Sequence, residues 1–227
     1  MPVDPAARLA EVRDRIGAAC ARVGRDPDDV TIVGATKRVP IERVAAAFEA
    51  GLRDVGENDA RELRKRAPLL PAATWHYLGP LQSGSARLVA EHAAVVHTIA
   101  PGGGLERLST RLAATGRELR GLVQVDFTGS RNGVAPEELP AFAHAAEALP
   151  GIHLVGLMTI APLDPDPEAA RPAFRALRAL AEGLRGTVPG VLALSMGMSL
   201  DYEVAVEEGA TMVRLGTALF GDRPETN

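Results

Sequence analysis

The sequence predicts an α/β chain of the (β/α)8 TIM-barrel type with an extra helix at its N-terminus. Three observations carry that prediction. Eight short apolar or β-branched runs punctuate the 227 residues, helical patterns alternate with them, and the short connectors imply right-handed parallel crossovers. A count of eight favours a closed barrel, and an open doubly wound sheet is the alternative if the strands are miscounted by one.

The chain opens with Asp4-Pro5, a capping residue followed by proline at the first helical position. Leu9, Val12, Ile16, Cys20 and Val23 then recur at helical spacing before Gly24, which makes this opening helix amphipathic. The first strand is expected over Val30 to Ala35, and the second, the shortest run, over Asp54 to Gly56. The third covers Trp75 to Leu78, the fourth Val95 to Ile99, the fifth Gly121 to Phe127 and the sixth Leu154 to Thr159. Ala193 to Met196 and Met212 to Leu215 complete the set. Helices are expected from near Ile41, Asn58, Ser85, Leu105, Pro136, Glu168 and Ser199, several closed by a glycine such as Gly51, Gly116 or Gly209. With the opening helix they make eight. Pro162 to Pro167 reads as a rigid loop leaving the sixth strand. The expectation is a single domain over residues 1–227, with Asn227 following the last strand too closely to leave room for a second.

Hydrophobic residues make up 46% and charged residues 24% of the chain, the balance of a globular protein. The net charge is −4 and the arginines are scattered along helical faces, so no nucleic-acid surface is expected and an anionic ligand would need a local site. The one cysteine, Cys20, lies on the apolar side of the first helix and excludes an intramolecular disulfide framework. No leader pattern and no apolar run of about 18 residues is present, so the chain is expected to be cytoplasmic and to have no membrane partner.

In a barrel, function belongs at the carboxyl ends of the strands. Lys37 stands just past the first strand, where an amine held partly out of water is free to attack a carbonyl. A solvated loop lysine is the ordinary alternative. The seventh strand runs into Ser195-Met-Gly-Met-Ser199. Gly197 there permits close backbone approach, and Ser199 either caps the next helix or helps present N–H groups to an anion. The eighth strand runs into Arg214-Leu-Gly-Thr217, and an arginine at the end of a buried strand requires either a structural salt bridge or a ligand. Asn58 stands beside the same mouth or caps the following helix, and His76 is either a satisfied residue of the second layer or a catalyst. The histidines show no metal-ligand spacing, so no metal is expected. Gly102-Gly-Gly104 reads as a flexible turn, since it lacks the fingerprint of a dinucleotide loop.

Six ordered blocks resemble one family. They are Thr36-Lys37 with Pro40, Gly56-Glu57-Asn58, Trp75-His76-Tyr77-Leu78-Gly79 with Leu81-Gln82-Ser83, Gly156-Leu-Met-Thr159 with Ala161-Pro162, Leu194-Ser-Met-Gly-Met-Ser199, and Glu207 to Arg214 through Gly216 with Phe220-Gly221. Across nearly the whole chain these are similar to the pyridoxal phosphate homeostasis proteins, single-domain relatives of the N-terminal barrel of alanine racemase. The resemblance implies that pyridoxal 5′-phosphate (PLP) is the cofactor and that Lys37 binds it as an aldimine. It assigns the phosphate to Ser199, Gly216 and Thr217 with backbone help from Met198. It sets Arg214 against the pyridine nitrogen and Asn58 along the ring, and counts His76 in the cofactor-binding set. Departures from the family pattern are Val39 in place of a second lysine, Pro80 in place of a histidine, and Gly84-Ser85 in place of Asn-Lys. The loop Thr128 to Gly133 also differs, with Arg131 its nearest basic residue.

The function implied is a PLP binder that buffers or delivers the cofactor, with PLP-dependent apoenzymes as partners, no nucleic acid, and a monomeric chain. Two alternatives from other classes stand beside it. A PLP-dependent amino-acid racemase would need a second acid/base group opposite Lys37. A cofactor-free lyase would use Lys37 against a phosphorylated sugar.

Overall fold

The computed structural model describes residues 4–130 and 132–221, so Arg131 of the departing loop and the segment ending at Asn227 lie outside the described residues. Among the described residues, eight parallel strands follow one another around a closed barrel in chain order. They are β1 Thr31–Ala35, β2 Asp54–Glu57, β3 Thr74–Tyr77, β4 Val95–Ile99, β5 Leu119–Gln124, β6 Ile152–Met158, β7 Ala193–Ser195 and β8 Met212–Leu215. Closure is made by β1 and β8, which pair in parallel with Thr31 opposite Met212 and Gly34 opposite Leu215. The open sheet is thereby set aside.

The helices are α1 Pro5–Val23, α2 Ile41–Glu49, α3 Ala60–Arg66, α4 Ala86–His92, α5 Gly103–Thr115, α6 Leu139–Glu147, α7 Arg171–Leu184, α8 Tyr202–Glu207 and α9 Thr217–Phe220. The sequence pattern missed α9, because a single turn is too short to show periodicity. No helix among the described residues is long and apolar enough to cross a membrane.

The opening helix forms as its sequence dictates. Asp4 accepts a hydrogen bond from the Ala6 amide at 3.0 Å, Pro5 occupies the first position, and Gly24 at φ 67° closes the last turn. Leu9, Val12, Ile16 and Cys20 are buried against the barrel, whereas Val23 is 44% exposed and leaves the stripe one residue before the terminating glycine. Each large buried side chain of the stripe contributes roughly 1.5–3 kcal/mol. Arg15 and Arg22 then tie α1 to Glu203 and Glu207 of α8, with Arg22 Nε 2.6 Å from the Glu207 carboxylate.

The fifth strand ends earlier than its composition suggests. Past Gln124, Asp126 Oδ1 accepts from the amide and hydroxyl of Thr128 at 2.8 and 2.7 Å, which turns the chain out of the ladder before Phe127 can extend it.

Candidate functional site

A cavity of about 390 Å³ opens at the carboxyl ends of the strands, and Lys37, Asn58, Met198, Ser199, Arg214, Gly216 and Thr217 all line it. The barrel therefore gathers seven of the eight residues singled out from the sequence. Its volume lies in the range of small-molecule sites.

Lys37 sits on the β1–α2 loop, and its side chain is exposed at the lip instead of being held in the barrel. The loop beneath it is clamped. The Thr36 amide donates to Gly56 O at 2.9 Å, and its hydroxyl lies 2.6 Å from Glu57 Oε1. Arg66 reaches up from α3 to donate to Thr36 O at 3.2 Å and Val39 O at 2.7 Å, while pairing with Glu57 at 3.2 Å. Burial raises the Glu57 carboxyl above its ordinary range, and Thr36 and Arg66 oppose that shift. Arg38, at the turn, has φ 61°, a left-handed conformation uncommon outside glycine. Glu57→Gln keeps an acceptor for Thr36 and removes the charge facing Arg66. It should cost about 2 kcal/mol in urea unfolding at neutral pH, and an unchanged midpoint would show that the clamp carries no weight.

Arg214 projects inward from β8 and is 7% exposed. Its Nη1 donates to Ser195 O at 2.7 Å and Ser195 Oγ at 2.6 Å, and its Nη2 donates to Thr159 O at 2.8 Å. Its partners are thus two carbonyls and a hydroxyl, and no carboxylate among the described residues pairs with it, so the structural salt bridge is set aside. Burial pulls the guanidinium down to about 10, with the charge of Asp201 acting in the opposite sense.

His76 does not reach the cavity. It is buried one layer below, with Nε2 2.9 Å from Asp54 Oδ1 and Nδ1 2.7 Å from His97 Nε2. The strand alternation explains the position: Trp75 and Tyr77 face the helices, so His76 faces the barrel interior. His97, from the middle of β4, is the imidazole that lines the cavity, and its Nδ1 lies 2.8 Å from Ser195 Oγ. Sequence reasoning missed His97, Ser195, Asp201 and Asp54. Only the first carried a signal, a polar residue two positions from apolar neighbours on the same strand face.

The residues that follow β7 are arranged differently from their sequence reading. Asp201 occupies the cap position of α8, and Ser199 Oγ instead accepts from the Ala218 amide of α9 at 3.1 Å, so it supports the turn at Gly216 and Thr217. The Met198 N–H is taken by Asp201 Oδ1 at 2.6 Å, which places a carboxylate where the resemblance expects an anion to be bound. Gly197 has φ 91°, and a Cβ there would come within 2.6 Å of Ala205, so its close approach is to α8 and not to a ligand. Asn58 is likewise not a cap: Asp59 Oδ1 accepts from the Arg61 and Glu62 amides, leaving Asn58 on the cavity wall with a long contact of 3.5 Å to Leu78 O. Gly79 is required here, because a Cβ would fall 1.9 Å from Asn58 O.

Comparison with known proteins gives the same outline. The family model described as the alanine racemase N-terminal domain matches residues 9–224. The chain is 45% identical over 224 residues to the pyridoxal phosphate homeostasis protein of Pseudomonas aeruginosa, covering 96% of this chain and 95% of the relative. It is similar to PipY of Synechococcus elongatus PCC7942, solved with PLP bound, at 34% identity and a TM-score of 0.84 over 96% of this chain and all of that one. Alanine racemase of Clostridium difficile 630 shares the fold alone, with 15% identity, a TM-score of 0.74, and coverage of 93% of this chain and 58% of the enzyme.

Proposed function

The chain belongs to the pyridoxal phosphate homeostasis protein family, built on the alanine racemase N-terminal domain, and we propose that it binds PLP at the barrel mouth to store and deliver it. The observation that carries this reading is the lining of one cavity by an exposed lysine amine, a hydroxyl-bearing turn at Ser199 and Thr217, and a buried arginine that no carboxylate pairs with among the described residues. The donor set fits the cofactor: an amine for its aldehyde, small hydroxyl and glycine residues for its phosphate, and the apolar Leu78, Met158 and Ile160 for its ring.

When bound, PLP supplies an aldehyde carbon and a pyridine ring able to accept electrons. Lys37 would hold the aldehyde end, Ser199, Gly216 and Thr217 the phosphate, and Asn58 the ring edge. Met198 would add its N–H only if Asp201 gives it up. Arg214 would face the ring nitrogen. A guanidinium has no acceptor and does not readily yield its proton, so it disfavours a second proton there and keeps the ring a weak electron sink.

Racemisation is not supported by the tyrosines. The Tyr77 hydroxyl donates to Pro80 O at 3.1 Å, Tyr202 is buried behind Arg15, and neither lines the cavity. The exposed lip suits release of a ligand to an apoenzyme better than guarded catalysis. We place this activity in the cytoplasm, in one domain of residues 1–227 acting as a monomer.

The test is incubation with PLP, borohydride reduction, and mass measurement of the peptide containing Lys37. A reduced phosphopyridoxyl group on Lys37, together with activation of a PLP-dependent apoenzyme by the loaded protein, is the expected result. In a parallel incubation with a carbonyl-bearing sugar phosphate, a Lys37 trapped there and not with PLP would replace this reading with the lyase, and no modification at Lys37 in either incubation would remove both.

A further inference from the structure

We propose that Asp54, His76, His97 and Ser195 are positioning residues for Arg214, forming one hydrogen-bond chain of fixed direction across the barrel that holds the guanidinium at the cavity wall. The role of Arg214 toward a cofactor rests on the function proposed above, whereas the chain and its direction stand on the geometry alone.

The direction follows from what each group can do. Arginine only donates, so Arg214 Nη1 gives a hydrogen bond to Ser195 Oγ at 2.6 Å. The other close partner of the serine hydroxyl is His97 Nδ1 at 2.8 Å, and the far end settles which of the two donates. The Asp54 carboxylate only accepts, so a neutral His76 gives its Nε2 proton there and accepts at Nδ1 from His97 Nε2, which leaves His97 Nδ1 to accept the serine hydrogen. A neutral imidazole that accepts at Nδ1 carries its proton on Nε2. His97 thus donates to His76 Nδ1 at 2.7 Å, and His76, in the same tautomer, donates from Nε2 to Asp54 Oδ1 at 2.9 Å. A carboxylate only accepts. The two ends are one-way groups of opposite sense, and every link between them is satisfied.

The path crosses the molecule. Asp54 is at the N-terminal end of β2, its side chain 24% exposed beside a second cavity of about 350 Å³ that also touches Arg13 and Arg53. Arg214 is at the opposite mouth. Barrels of this type usually fill their interior with layers of branched apolar side chains. A polar string there is costly unless each member is paired. What the string does is turn the Ser195 hydroxyl hydrogen away from Arg214, so that the oxygen presents lone pairs to a cation that no carboxylate pairs with among the described residues. Burial pushes both imidazoles toward their neutral forms, in keeping with the tautomers assigned.

The first measurement uses the unloaded protein with ¹⁵N-labelled histidine at pH 7.5, the buried signals being assigned with Asn and Gln variants at positions 76 and 97. His76 and His97 should both be neutral and protonated on Nε2. A proton on Nδ1 of either ring, or an imidazolium, overturns the proposal. The second uses His76→Gln and His76→Phe, which do not touch the cavity. Glutamine offers a carbonyl to His97 and an amide to Asp54 and so preserves direction, whereas phenylalanine preserves only volume. PLP affinity should stay within about twofold in the first and weaken by about tenfold in the second. Equal affinities in the two variants would mean that packing, not hydrogen-bond direction, is at work. Should His76→Phe fail to fold, the tautomers of the unaltered protein decide. Should the unaltered protein bind no PLP, the proposed function fails while the tautomer measurement still judges the chain.

Discussion

Lys37→Ala should abolish the visible absorbance of the PLP-loaded protein and leave no borohydride-stable group on the peptide around residue 37. The physical basis is local. Lys37 is exposed at the lip of the cavity, and the clamp formed by Thr36, Glu57 and Arg66 lies in the backbone and side chains around it. Folding stability should therefore change by no more than about 0.5 kcal/mol. Binding has two parts, a covalent one through the amine and a non-covalent one through Ser199, Gly216, Thr217 and Arg214. The second survives the substitution, so weak PLP binding should persist with affinity reduced on the order of a hundredfold, about 2.7 kcal/mol. Lys37→Arg separates charge from nucleophilicity, because a guanidinium keeps the cation but does not condense with an aldehyde at neutral pH. It should match the alanine variant in covalent trapping and bind more tightly than it. Normal trapping in either variant would remove Lys37 from the role.

The protein should lose stability steeply between pH 6.5 and 5.5, and two buried imidazoles account for it. His97 is fully buried and held well below its ordinary value by burial first, then by His76, Arg214 and Arg120. His76 is lowered by burial and by Arg120, with Asp54 opposing the shift. As pH falls through 6.5, where an unfolded histidine takes up a proton, both groups therefore favour their neutral forms in the folded state. The unfolded chain binds more protons in that window, so stability falls as pH falls. Each imidazole that stays neutral contributes about 1.4 kcal/mol per pH unit, and the pair up to about 2.7 kcal/mol. Asp54 favours the charged form of His76, so His76 leaves the neutral state at a higher pH than His97. Urea unfolding at pH 7.5, 6.5 and 5.5, followed through Trp75, measures the slope. His76→Gln should lower it by roughly one proton's share. A flat profile across this window would mean that the imidazoles are solvated or already charged.

Much of the fold was legible because its determinants are local. The capping pair Asp4-Pro5, the terminating Gly24 and the apolar stripe from Leu9 to Cys20 specify α1 within one segment of chain. The strand runs likewise announced themselves by composition. The departures arose where a single side chain overrode that composition, as when Asp126 turned the chain after β5, or where an element was too brief to be periodic, as in α9.

The candidate site was legible to the extent that its residues follow strand ends. Lys37, Asn58, Ser199, Arg214, Gly216 and Thr217 could be collected at one mouth once a barrel was assumed, and the structure does bring them to one cavity. Their individual contacts could not be read that way. For Ser199 the sequence leaves a choice between capping the next helix and helping to hold an anion, and the structure has its hydroxyl oxygen accept from α9, which follows the neighbouring strand.

The sequence by itself determined the alternation of strands and helices, the family resemblance, and the lysine at the end of β1, because these depend on residue type and short-range spacing. Only the tertiary structure decided that Asp54, His76, His97, Ser195 and Arg214 form a connected line. Successive members of that line lie up to 98 residues apart and on five different strands. Their pairing is created by barrel closure and strand register, which bring inward-facing positions within hydrogen-bond reach across the interior, and no local pattern along the chain encodes that proximity.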